Sequence, residues 1–190
     1  MQMLPFEFVT VYFSVLVGLA LSNILKAISD LIEIRSRVKV YWVNSVWVLL
    51  VVIQCIYAWW GLWELQNLDY WNYLRFLLVV ANLSGFYMMT TLVLPKAIES
   101  GRVDLREHYY FVRKIFFATF FFILSTSALM NHVLFLKPII SEFTIIPFVI
   151  SLFALSAVFI KHPKYHGILS IIFLLTLISF MGLDITIIKI

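Results

Sequence analysis

The amino-acid sequence predicts an all-α bundle of six membrane-spanning helices with both termini on the outer side. Three observations predict it: a composition too apolar for a water-soluble globule, six long apolar segments, and positive charge confined to alternate connections. The 190 residues are 63% hydrophobic and 13% charged. A soluble domain is about 45–50% apolar and about 25% charged. A domain of this size buries only about 70% of the surface its chain exposes, so the excess calls for a second apolar solvent, the lipid bilayer. A single integral domain is expected over 1–190.

Crossing ~30 Å of hydrocarbon takes about 20 mostly apolar residues. Six segments meet or approach this length: 8–28, 41–63, 73–95, 113–135, 143–160 and 167–186. The first begins close to the start of the chain. "MQMLPFEFVT" has no basic stretch and no small-residue cleavage site, so this segment is expected to remain as a span rather than be removed. Past Ser22 it continues as a polar-striped helix through Asn23, Lys26, Asp30, Glu33 and Arg37. Lys26–Asp30 and Glu33–Arg37 are spaced as i,i+4 ion pairs. Such a stretch lies in the headgroup layer or docks a cytoplasmic protein partner.

The connections then alternate. "RSRVK" (35–39) is basic, "ELQNLDYWN" (64–72) has acids only, "KAIESGRVDLREHYYFVRK" (96–114) is rich in cations, 136–142 is nearly neutral, and "KHPKYH" (161–166) is basic again. Of the 14 Lys and Arg, only Arg75, Lys137 and Lys189 fall outside the odd-numbered connections and their adjoining helix ends. Short loops retain Lys and Arg on the cytoplasmic face, which sets the expected orientation.

Tryptophan marks the boundaries. Trp42 stands at the inner end of the second span. Trp59, Trp60 and Trp63 stand at its outer end, and Trp71 follows across a short loop. From 42 to 60 is ~27 Å of helix, close to one hydrocarbon thickness, as an aromatic belt requires. A cation-binding cage of Trp59 and Trp63 with Tyr70 and Trp71 is the alternative.

No ionisable residue falls near the middle of a span, which weighs against a proton relay or an intramembrane hydrolase. There is no metalloprotease, phosphate-loop or dinucleotide motif, and one cysteine with four histidines is a poor basis for a metal site. No cofactor, metal or nucleic acid is expected. The polar residues inside the spans are Asn23, Asn44, Gln54, Asn82, Ser84 and Asn131, suited to helix packing or to lining a cavity. Gln54 and Asn82 should lie at similar depth on antiparallel spans, able to pair or to line a cavity jointly. Ser14, Gly18 and Ser22 repeat every four residues and allow close helix approach, within the chain or between copies in a homo-oligomer. The third connection gathers Asp104, Arg106, Glu107, His108 and Tyr109, with Arg113 and Lys114 following. These could hold anionic lipid headgroups, a protein partner or, through His108, a headgroup substrate.

"FEFVTVYFSVLVGLALSNIL" (6–25), "VYWVNSVWVLL" (40–50), "WWGLW" (59–63) and "DLREHYYFVRKIFF" (104–117) resemble a widespread group of small bacterial multi-pass membrane proteins. The likeness covers roughly the first two-thirds of the chain. It implies a bacterial inner (plasma) membrane location and carries over no catalytic residue, because the group has no established activity.

Three functional readings follow. The first is a non-enzymatic membrane protein that self-associates, forming a pore or acting as a membrane accessory. The second is a small transporter or channel with a neutral polar cavity around Gln54 and Asn82. The third is an enzyme acting on lipid headgroups through His108.

Overall fold

The structure, a computed structural model, describes residues 5–68, 70–96 and 102–187; of 5, 60, 62, 63 and 183–187 it describes the backbone alone. Six helices follow in order: α1 Pro5–Glu33, α2 Trp42–Leu65, α3 Tyr73–Leu92, α4 Leu105–Val133, α5 Glu142–Phe159 and α6 Pro163–Ile187. Each is long and apolar enough to cross a membrane. The fold is therefore the expected all-α, six-helix one, and it is compatible with a multi-pass integral membrane protein. α1 and α4 outrun their predicted spans furthest. α1 keeps its polar-striped extension as far as Glu33, with Lys26 and Asp30 paired at 3.0 Å. α4 starts eight residues before the predicted 113, because Asp104 caps it: its carboxylate accepts from the backbone N–H groups of Arg106 and Glu107 at 2.8 and 3.2 Å.

The odd-numbered connections meet at one end of the bundle. Val38–Lys39 (β1) and Val103–Asp104 (β2) form a two-residue parallel bridge between the first and third connections. Lys39 Nζ lies 2.9 Å from the Asp104 carboxylate and holds it below the usual carboxylate range. The Tyr109 hydroxyl at the start of α4 meets His166 at the start of α6, joining the third connection to the fifth. The cation-rich segments thus share one end, called here the cationic end.

Helix neighbours run α5–α4–α3–α1–α2–α6, with α2 also touching α3 and α4. Consecutive helices α5 and α6 make few close approaches to each other. Two glycines allow close helix contact. A Cβ on Gly85 would lie 2.6 Å from Ile123 Cγ1 of α4, and one on Gly167 would lie 2.9 Å from the Trp42 ring. Gly18, by contrast, faces open space. The Ser14–Gly18–Ser22 stripe lies beside the face that α1 buries through Val9, Phe13, Val17, Ala20 and Ile24.

Candidate functional site

The bundle core begins with Trp47, which is 1% exposed. Its indole stands edge-on to Phe116, Phe117 and Phe120 of α4, with centroids at 5.5, 5.0 and 5.5 Å, and tilted to Phe173 of α6 at 5.5 Å. Each such aromatic pair is worth about 0.5–1.5 kcal/mol beyond its area. The cluster clamps α2, α4 and α6 together and divides the interior in two.

On the side away from the cationic end lies a cavity of about 490 Å³ lined by all six helices. Small-molecule sites occupy roughly 300–1,000 Å³. One face of α2 runs its length: Trp47, Leu50, Gln54, Tyr57, Gly61 and Glu64. These follow the three- and four-residue steps of a helix and cover about 25 Å of rise. Trp47, Phe120 and Phe173 form the floor. The cavity reaches the exposed residues Gly61, Glu64 and Phe143 at the other extreme, so its mouth is there. Pro147 and Ile150 of α5 and Thr176 and Leu177 of α6 also line it, on the two helices that barely meet.

A girdle of uncharged polar groups crosses the cavity. Asn82 Nδ2 donates to Ile123 O at 3.0 Å, Thr126 Oγ1 at 2.7 Å and Ser127 Oγ at 3.1 Å. Its two protons are therefore committed to α4, and its Oδ1 has no partner within the described chain. The Gln54 side chain makes no hydrogen bond to any described residue and lines the same cavity. The two amides share the cavity without bonding to each other. Asn131 is bound differently. Pro147 has no N–H, which frees the Phe143 carbonyl one turn earlier, and Asn131 Nδ2 donates to it.

Below the floor sits a buried polar cluster. Arg113 is 2% exposed, and its Nη1 donates to Ala157 O at 2.8 Å and Ile160 O at 2.6 Å. These carbonyls close the C-terminus of α5, where the helix dipole favours a cation. His166 Nε2 also reaches Ile160 O at 2.8 Å. A carbonyl only accepts, so Nε2 carries the proton. In the neutral ring Nδ1 is then the acceptor, and the Tyr109 hydroxyl donates to it at 2.8 Å. The Trp47 indole N–H lies by the Tyr109 hydroxyl without reaching hydrogen-bond geometry, and Asn44 Nδ2 and Arg113 Nε are buried without partners among the described residues. Asn44, Trp47, Tyr109 and Arg113 enclose one narrow crevice. Nearby, burial pushes the Tyr41 phenol above its ordinary range, and the adjacent Tyr110 hydroxyl adds to the rise.

The structure thus separates residues that the sequence groups together. Of the third connection, Arg106, Glu107 and Lys114 are exposed. Asp104 caps α4, and His108 Nε2 donates to Leu92 O at 3.0 Å. Tyr109 and Arg113 turn inward and are buried. Asn23 Nδ2 contacts Thr90 Oγ1 at 3.4 Å across α1 and α3, and Ser84 bonds back to Val80 O on an exposed face. Among the belt residues, Trp42 and Trp59 are 54% and 43% exposed, and Trp71 is half-buried. The side chains of Trp60 and Trp63 lie outside the described residues. Tyr70 is engaged by the chain itself: the Arg75 guanidinium sits 3.9 Å over its ring and bonds its carbonyl and hydroxyl at 3.2 and 3.0 Å. Arg75 is buried and paired in this way, which explains a cation at the end that is otherwise poor in them.

Sequence reasoning missed His166 and the continuous polar face of α2. The second had a readable signal, since Gln54, Tyr57, Gly61 and Glu64 recur at helical spacing. The first had none, because its side-chain partner, Tyr109, comes from α4, far away in the chain. No known protein family, curated protein or solved structure matches this chain.

Proposed function

We propose that the chain is a non-enzymatic integral protein of a bacterial inner membrane that receives a small molecule in its central cavity, as a carrier or receptor. The cationic end faces the cytoplasm, among anionic lipid headgroups, and the mouth at Gly61 and Glu64 faces outward. One observation carries the reading: a cavity of about 490 Å³, open at one end and closed at the other by the Trp47 cluster. A continuous pore would need that floor removed, which favours a binding cavity over a channel.

Thiol accessibility tests it. With Cys55 replaced by serine, cysteines at Gly61 and Ser127 sample the mouth and the depth of the cavity. Gly61 has open space beside it and tolerates a side chain. Both should react with a small membrane-impermeant thiosulfonate applied from outside intact cells, Gly61→Cys faster than Ser127→Cys. Reaction at Gly61→Cys from the cytoplasmic side alone would refute the orientation, and inert Ser127→Cys would refute the open cavity.

Self-association is a second reading, favoured by the open space at Gly18. Small residues on a lipid-facing stripe let helices of two copies approach. The mass of the protein in mild detergent should then exceed one chain and fall to one chain in Gly18→Leu. A strict monomer in the unsubstituted protein ends this reading.

A further inference from the structure

We propose that the ligand of this cavity is an uncharged molecule with an apolar body and a hydroxyl or carbonyl group, that group seated against Gln54, Asn82 and Ser127. The inference rests on the binding reading above and adds the chemical class.

The lining sets the class. Glu64, at the mouth, is the one residue ordinarily charged at neutral pH among the described lining residues. A carboxylate ligand would meet no cation inside and a carboxylate at the opening. Carrying an unpaired charge to the level of Gln54 exposes it to a medium that does not solvate ions. A cationic amphiphile would hold its head near Glu64 and lay bare hydrocarbon against the Gln54 amide, leaving that amide unbonded. An uncharged molecule avoids both penalties.

The hydrogen-bonding inventory sets the polar group. Gln54 offers two donor protons and a carbonyl. Asn82 offers only Oδ1, because its amide protons go to α4. Ser127 accepts from Asn82 and keeps its own proton to donate. A hydroxyl can donate to Oδ1 while accepting from Gln54; a carbonyl can accept from Gln54 and Ser127. Apolar and aromatic walls on either side, from Leu50, Val79, Phe86 and Leu124 to Phe180, suit the rest of the molecule.

The test uses three probes with one brominated tail: bromododecanol, bromododecanoate and bromododecyltrimethylammonium. Bromine quenches tryptophan on contact, and Trp47 floors the cavity. Bromododecanol should quench saturably in the purified full chain, and the saturable part should vanish in Trp47→Phe. Its affinity should fall about tenfold in Gln54→Leu, the loss expected for one hydrogen bond worth ~1.4 kcal/mol. The Gln54 side chain bonds nothing in the described chain, so this variant should keep its fold. The two charged probes should bind at least about tenfold more weakly. If no probe quenches saturably, the binding reading itself fails. If a charged probe binds as well as the alcohol, or Gln54→Leu leaves the affinity unchanged, the cavity binds but the assigned class is wrong.

Discussion

Trp47→Ala should lower stability by about 3–5 kcal/mol, the range for truncating a large aromatic in a packed core. The indole is almost fully buried and touches four phenylalanines on two helices. Neither α4 nor α6 can close the gap without giving up its contacts at Phe117 or Phe173. Equilibrium unfolding in mixed micelles measures the loss, and Trp47→Phe should retain most of the stability. A change below about 1 kcal/mol for Trp47→Ala would mean that α2, α4 and α6 do not depend on this cluster. The position also divides the outer cavity from the crevice at Asn44 and Arg113, both of which Trp47 lines. Its size therefore serves closure as well as packing.

Arg113→Leu and His166→Leu should prove non-additive. Both side chains donate to Ile160 O, while Arg113 alone serves Ala157 O. His166→Leu leaves Ile160 O with Arg113 and should cost about 1–2 kcal/mol, including loss of the Tyr109 bond. Arg113→Leu orphans Ala157 O and should cost about 2–3 kcal/mol, reduced because a buried guanidinium no longer has to be desolvated. The double variant orphans both carbonyls at the α5 terminus. It should exceed the sum of the singles by at least about 0.5 kcal/mol, the scale at which neighbouring residues depart from additivity. Additive unfolding free energies would show that the two donors do not share an acceptor in solution. Arg113→Lys keeps the charge but loses the planar fork, and should fall between wild type and Arg113→Leu.

How much of this was legible beforehand follows from particular residues. The spans were readable because transfer into hydrocarbon depends on local composition. Each of the six segments announced itself without knowledge of the others. The grouping of Lys39, Arg106, Lys114 and Lys161 at one end was readable for a similar reason, since charge avoids oil wherever the chain turns. Gln54 and Asn82 could be placed at one depth by counting residues from the helix ends. That Asn82 spends its protons on α4 while Gln54 stays unbonded could not be counted, because it depends on which helix lies beside α3.

Arg113 shows the limit most clearly. By sequence it is one more cation next to Lys114. In the fold it is buried and Lys114 is exposed, one residue apart on the same helix. A rotation of about 100° per residue separates a buried face from a wet one, and only the packing of α5 decides which face is which.

The amino-acid sequence by itself determined that there are six apolar helices, where they turn, and that the cations collect on alternate turns, because those properties are sums over neighbouring residues. The tertiary structure alone decided that the helices curl around a cavity, that Trp47 closes it, and that an arginine and a histidine cap the end of α5. Those features require side chains from helices far apart in the chain to meet, and no local pattern specifies that meeting.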